Sequence, residues 1–454
     1  MNGPSGWVND SNAALLTDLY ELTMLQAYFE EGMEEESVFD LFARRLPEHR
    51  NYLVACGLDD ALRYLETLSF PVEAIAALSR IGLFSDRFLE RLARLRFRGD
   101  VFAVPEGTVV FGGEPLVEVV APLPEAQLAE TFLMNQLHFQ TVAASKAARV
   151  VTAANGRTVV DFGVRRMHGT DAAMKAARAF YVAGVHSTSN VLAGLTYGIP
   201  VAGTMAHSYV QAHVNEIEAF RAFARLYPET VLLVDTYDTL AAVRKVVALA
   251  REMGERFRIS ALRLDSGDLD ALSKAARRIL DEAGLQGVSI FASSSLDEYT
   301  IAKLVAQGAP IAGFGVGTHM GVSDDAPYLD MAYKLVEYAG IGRTKLSPEK
   351  PILPGRKQVF RTFTQGEAVS DVIARHDEAL DGRPLLVQVM RGGRRTTAGS
   401  ETLSAARSRA SRGVAELPAR LRALEAVDPA YPVRVSAALE AAHQRILREL
   451  SVTL

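Results

Sequence analysis

Apolar positions change rhythm several times along the chain. Leu15, Leu19, Leu22 and Met24 fall at near-helical spacing, and residues 73–97 are rich in Ala, Leu and Arg with recurring apolar positions. That spacing predicts a mostly helical segment over 10–100. Residues 101–121, VFAVPEGTVVFGGEPLVEVVA, switch to β-branched residues broken by PEG and GG turn signals. Pro122 and Pro124 then introduce a helix over 125–150, with Leu128, Phe132, Leu133 and Leu137 on one side. From 158 short apolar runs recur: TVVDFG (158–163), FYVAGV (180–185), IPVAG (199–203), TVLLVD (230–235), ISALRLD (259–265), VSIFA (288–292) and IAGFG (311–315). Ala-, Leu- and Arg-rich helical segments such as 238–253 and 268–282 separate the later runs.

Strand–helix alternation at this spacing predicts an α/β protein with a parallel sheet and crossover helices. Seven or eight units suggest a closed (β/α) barrel, with an open doubly wound sheet as the alternative. Polar residues favour the barrel. Arg165 and Arg166, His186, His207, Asp235, Asp265 with Ser266, Ser293 to Ser295, and Thr318 each close or follow an apolar run. Barrel active sites lie at the carboxyl ends of strands, whereas an open sheet gathers such groups at one switch point. The expected division is a domain over 1–150, completed by 340–400, a barrel over 151–339, and a helical extension over 400–454. The tail's own pattern is Ala/Leu/Arg helix broken around Pro429 and Pro432.

Composition narrows the function. The 454 residues carry 49 basic and 54 acidic side chains, a net charge of −5, which argues against a partner such as nucleic acid or a membrane surface. The longest uncharged stretch, 179–215, holds three histidines, a proline and several glycines, so it reads as buried strands and tight loops rather than a membrane span. One cysteine, Cys56, excludes an internal disulfide and a cysteine-rich metal site, and fits a reducing cytoplasm. The opening MNGPSGWVND lacks the basic and apolar regions of a signal peptide.

Several chemistries are absent: no GxxxxGK[ST], HExxH or GxSxG occurs, and GFGVGTHMG (313–321) fails the GxGxxG spacing. Gly315 and Gly317 could still admit an anion to backbone N–H groups, with Thr318 adding a hydroxyl, or could form an ordinary barrel turn. RLDSGD (263–268) sets a cation and two carboxylates around a glycine turn. Arg263 suits an acidic substrate, Asp265 suits ribose hydroxyls or hydrated Mg²⁺, and Ser266 or Asp268 suits a helix cap. Adjacent Arg165 and Arg166 point to a polyanion, unless one faces solvent. His207 in GTMAHSY is a reactive candidate or a core residue; His168, His186 and His213 show no metal-ligand spacing and read as structural.

Together these segments resemble the nicotinate phosphoribosyltransferases. The matching stretches are TDLYELTM (17–24), FGVRRMHGTDAA (162–173), STSNVLAGLTYGIPVAGTMAHSY (187–209), LLVDTYDT (232–239), RLDSGDL (263–269), SSSLDE (293–298), GFGVGT (313–318), YKLVEY (333–338) and KLSPEKPILPGRKQVFR (345–361). The resemblance implies an irregular barrel, an α/β domain built from the N-terminal segment and later chain, and a homodimer. It implies transfer of phosphoribosyl from 5-phosphoribosyl 1-diphosphate to nicotinate, coupled to ATP, with Mg²⁺ present. On matching positions, His207 is expected to be phosphorylated by ATP, with Arg263 and Asp265 as its catalytic companions. Tyr20, Thr204 and Arg263 are expected at nicotinate. Thr318 is expected at phosphoribosyl diphosphate, Arg165 and Arg166 in its cationic surround, Asp235 and Asp265 on its ribose and Mg²⁺ side, and Ser266, Ser295, Gly315 and Gly317 among the substrate-binding residues.

Ser293-Ser294-Ser295 departs from the family's usual Ser-Asn-Asp or Ser-Asn-Asn. The rival readings are nicotinamide or quinolinate phosphoribosyl transfer, and a non-catalytic ligand-binding homologue. Every matched motif lies before about 365, so truncation near 400 is expected to spare the chemistry.

Overall fold

Contacts within the computed structural model divide the chain into Met1–Val142 with Tyr328–Leu454, and Ala143–Pro327. Residues 6–346 and 352–453 are described; the SPEKP portion of the 345–361 motif lies outside them.

In the first unit an antiparallel sheet runs Ile341–Gly342, Met331–Tyr338, Glu36–Ala43, Pro115–Pro122, Asp100–Ala103, Val387–Arg391, Arg394–Arg395. Its interior strand Glu36–Ala43 falls inside the segment expected to be helical. Nearly every residue of this strand is buried, on both faces, so no period-two alternation marks it. Phe39 stacks on Tyr333 with ring centroids 4.9 Å apart, and the Tyr333 hydroxyl donates to Ala126 O. Strand Met331–Tyr338 lies within the span expected of the barrel, yet it pairs with Glu36–Ala43.

A second sheet orders Arg383–Pro384, Lys357–Thr364, Glu367–Arg375 and Val433–Val435. The tail carries the expected helices, Leu403–Ala415 and Ala437–Thr453, but also a strand of this sheet, so it is part of this unit rather than an appended extension. Val433–Val435 pairs with Asp371 to Ile373, and Tyr431 stacks on Phe111 at 3.7 Å.

The second unit carries six parallel strands: β1 (Thr158–Asp161), β2 (Ser187–Thr188), β3 (Val231–Leu233), β4 (Ala261–Leu264), β5 (Ser289–Ala292) and β6 (Gly313–Val316). Their order is β2-β1-β6-β5-β4-β3, and a bridge from Thr188 to Val201 adds a seventh position. Since β6 pairs with β1, the barrel closes there, and among the described residues no ladder joins Val201 to β3. The result is an irregular (β/α) barrel with one open seam. Its helices are α1 (Thr170–Val182), α2 (Val191–Tyr197), α3 (His207–Gln211), α4 (Glu216–Leu226), α5 (Thr239–Met253), α6 (Leu269–Glu282), α7 (Glu298–Ala306) and α8 (Thr318–Val322). FYVAGV, expected as a strand, contains the end of α1 instead, and the strand is the polar pair Ser187-Thr188. A short apolar run cannot separate a buried helix end from a strand.

Candidate active site

The open seam is spanned by side chains. Arg263 on β4 donates through Nη1 to Thr204 Oγ1 at 2.8 Å and through Nη2 to Met205 O at 3.2 Å. Thr204 and Met205 follow Val201, the last strand position before the gap. The guanidinium also lies over the Phe162 ring, 5.8 Å from its centroid. Phe162 in turn sits 6.1 Å from Phe291, the β5 residue paired with Arg263. Gly315 makes room for these rings: a Cβ there would lie 2.5 Å from Phe162 and 3.0 Å from Phe291. So Gly315, expected to admit an anion to its backbone, has its open side filled by aromatic rings.

Arg263 is half-buried and forms no ion pair among the described residues. Burial lowers its pKa; the charges of Asp265 and Asp235 oppose that, while Arg165 adds to it. A desolvated guanidinium without a carboxylate partner is a standing site for an anion.

On the same side of the seam as Arg263, past β3 and β4, lies a carboxylate pair. Asp235, just past β3, accepts from the Asp265 backbone N–H at 3.0 Å and from the Ser266 hydroxyl at 2.5 Å. Its other oxygen is buried without a hydrogen-bond partner. Asp265 accepts a short hydrogen bond from the buried Ser293 hydroxyl and faces His207 Nε2 at 3.6 Å. The other His207 nitrogen, Nδ1, is 3.2 Å from Thr236 Oγ1. Asp268 is a helix cap, accepting from Ala271 N. His186 and His213 engage backbone groups through Nδ1.

At the end of β1, Asp161 accepts from Gly163 N at 2.8 Å and the Thr188 hydroxyl at 2.7 Å, fixing the turn that carries Arg165 and Arg166. Both arginines are exposed and make no ion pair among the described residues. Gly317 precedes α8, with only the Phe162 backbone near its open side, and Thr318 is exposed in the first turn. Ser295 is exposed, and both it and Ser294 adopt positive φ, 38° and 98°. Tyr20 belongs to the first unit, in the opening turn of helix Leu19–Glu31. Burial, then the charges of Glu130 and Glu21, raises its hydroxyl well above the usual tyrosine range.

The structure thus gathers Thr204, His207, Asp235, Arg263, Asp265 and Ser266 in one cluster. Sequence reasoning missed Phe162, Thr236 and the role of Ser293 as the holder of Asp265. Phe162 follows an apolar run, where an aromatic reads as core; only its neighbour Arg165 hinted otherwise. Among the described residues no group of three or more His, Cys, Asp or Glu could hold a metal ion, and no helix is long and apolar enough to cross a membrane.

The chain that builds this open-seamed barrel has relatives in sequence and in overall fold. Residues 15–138 match the nicotinate phosphoribosyltransferase N-terminal domain, and residues 158–341 match the nicotinate phosphoribosyltransferase family. The chain is 57% identical over 423 residues to nicotinate phosphoribosyltransferase pncB2 of Mycobacterium tuberculosis, covering 93% of this chain and 91% of that protein. It is 43% identical over 387 residues to the Bacillus subtilis nicotinate phosphoribosyltransferase, covering 83% and 79%. The crystal structure of human nicotinic acid phosphoribosyltransferase superposes with a TM-score of 0.84 at 27% identity, covering 95% of this chain and 99% of that one. The chain belongs to the nicotinate phosphoribosyltransferase family.

Proposed function

We propose that this protein transfers the phosphoribosyl group of 5-phosphoribosyl 1-diphosphate to nicotinate, giving nicotinate mononucleotide and pyrophosphate, a reaction of NAD salvage. The observation that carries the choice of acceptor is Arg263: a half-buried guanidinium, unpaired with any described carboxylate, over the face of Phe162. An aromatic carboxylate satisfies both, with the ring against Phe162 and the anion at Arg263. Nicotinamide would leave the cation uncompensated.

The pyridine nitrogen attacks the anomeric carbon without a protein base, so the site has to orient the ring and receive the leaving diphosphate. Arg165, Arg166, Gly317 and Thr318 are the groups we assign to phosphates. Asp235 and Asp265 would repel a diphosphate unless a cation stood between them. That donor set fits a hydrated Mg²⁺ held largely by substrate phosphates, which would neutralise charge on the leaving group. Ser266 and Asp235 face the ribose hydroxyls.

We assign ATP as co-substrate and His207 as its phosphoryl acceptor. With His207 Nδ1–H donating a hydrogen bond to Thr236 Oγ1, the Nε2 lone pair is free to attack the γ-phosphorus, with ADP leaving. We also assign a homodimer, supported by exposed Val191, Leu192 and Leu195 on α2. A cytoplasmic setting is consistent with the lone, buried, unbridged Cys56.

Arg263→Gln tests the acceptor site. Charged hydrogen bonds of this kind contribute about 1.5–3 kcal/mol, so KM for nicotinate should rise roughly 10- to 150-fold while KM for 5-phosphoribosyl 1-diphosphate moves little. An unchanged nicotinate KM would remove Arg263 from the site.

A further inference from the structure

A buried charge cluster lies behind α8, outside every group used above. Lys146, on helix Glu130–Ala153, is 1% exposed. Its Nζ lies 2.6 Å from Glu298 Oε2, 2.8 Å from Asp325 Oδ1 and 3.3 Å from Asp324 Oδ1. Arg149, one turn on, pairs with the other Glu298 oxygen at 2.8 Å and donates to the Tyr299 hydroxyl at 3.0 Å. Asp324 in turn holds His319 Nδ1 at 2.5 Å. His319 is the residue after Thr318.

Burial alone pulls the Lys146 ammonium down, but Glu298 and Asp325 outweigh it and hold its pKa above the ordinary lysine value. The lysine is therefore charged. A buried ion cluster gives little net stability over apolar packing of equal volume, so stability is a poor reason for it. Its geometry suggests another. Helix α8 has five residues, too few to persist on its own local bonds. Its placement has to come from tertiary contacts, and these are buried Met320, the Gly321 approach to Met167, and the His319–Asp324–Lys146 chain.

We infer that Lys146 is a positioning residue for phosphoribosyl-diphosphate binding, acting through Asp324 and His319 to set the Gly317-Thr318 turn. The inference rests on the assignment of Thr318 to substrate phosphates made above. Lys146 itself touches no substrate in this account.

The test uses the full-length protein with Lys146→Met, Lys146→Arg and Asp324→Asn. Each substrate is varied separately, and inorganic pyrophosphate binding is measured by calorimetry. Lys146→Met should raise KM for 5-phosphoribosyl 1-diphosphate at least tenfold while KM for nicotinate stays within twofold. Lys146→Arg should recover most of the loss. Asp324→Asn, at a partly exposed position, should shift the same constant at least threefold and weaken pyrophosphate binding to match. It carries the test if Lys146→Met fails to fold. Equal rises in both KM values, or no change in a folded variant, would overturn the inference. Absence of nicotinate turnover in the wild type would instead overturn the functional reading, and pyrophosphate binding by wild type and Asp324→Asn would still decide the positioning claim.

Discussion

At the scale of single residues, His207 and Arg263 carry separate parts of the proposed chemistry, and each is gripped by a residue from across the seam. Thr204 and Met205 hold Arg263, and Thr236 holds His207. His207→Asn should therefore abolish label transfer from γ-labelled ATP while leaving slow, ATP-independent synthesis of nicotinate mononucleotide, because the pyridine nitrogen does not need this histidine. Equal labelling of both proteins would remove His207 as acceptor. A second prediction concerns Ser294, at φ 98°, where a side chain is strained and glycine is not. Ser294→Gly should be more stable than Ser294→Ala by about 1 kcal/mol in denaturant unfolding; the reverse order would mean the loop relaxes. His207, Arg263, Asp235 and Asp265 were legible in sequence because reactive side chains after apolar runs mark strand ends. Phe162 was not, since an aromatic after an apolar run looks the same whether it faces core or ligand. Asp265 was legible, but the hydroxyl that holds it, Ser293, comes from the next strand, and no local pattern records that pairing.

Elements tell a similar story. The barrel was readable from recurring apolar runs, while its seam was not: a missing ladder is a property of pairing. Only Val201 of the IPVAG run bridges to a neighbour. The seam leaves room for an arginine and an aromatic ring in what would otherwise be a packed interior. Gly315 belongs to this arrangement, since a larger residue would press on Phe162 and Phe291. Gly315→Val should cost about 1–3 kcal/mol by overpacking and raise nicotinate KM by displacing the ring. Thermal unfolding and nicotinate kinetics check both; a stable variant with normal KM would show that Phe162 has space to move. Strand Glu36–Ala43 escaped notice for the opposite reason, being buried on both faces.

For the whole molecule, the chain leaves its first unit, builds the barrel, and returns. The tail is bound into that first unit: Asn51 engages Ala423 O, Glu425 O and Val427 N, and Tyr431 donates to the buried Asp371. Truncation near 400 should therefore destabilise the first unit, which revises the expectation drawn from motif positions alone. The same unit holds Glu21, whose pKa burial raises to about 7 from 4.5 against opposing hydrogen bonds from Thr131 and Thr17. A raised acid binds a proton in the folded state that the unfolded chain has lost. Its contribution to stability is full below pH 4.5 and disappears as pH rises through 7. Glu21→Gln should match wild type near pH 5 and exceed its melting temperature near pH 8; parallel pH profiles would contradict this. The proposed function turns on the choice of acceptor. The most direct measurement is pyrophosphate release by the intact protein from 5-phosphoribosyl 1-diphosphate with nicotinate, nicotinamide or quinolinate, each with and without ATP. Release with nicotinate alone, accelerated by ATP, is the predicted result; preference for nicotinamide or quinolinate, or no release with any acceptor, would contradict it.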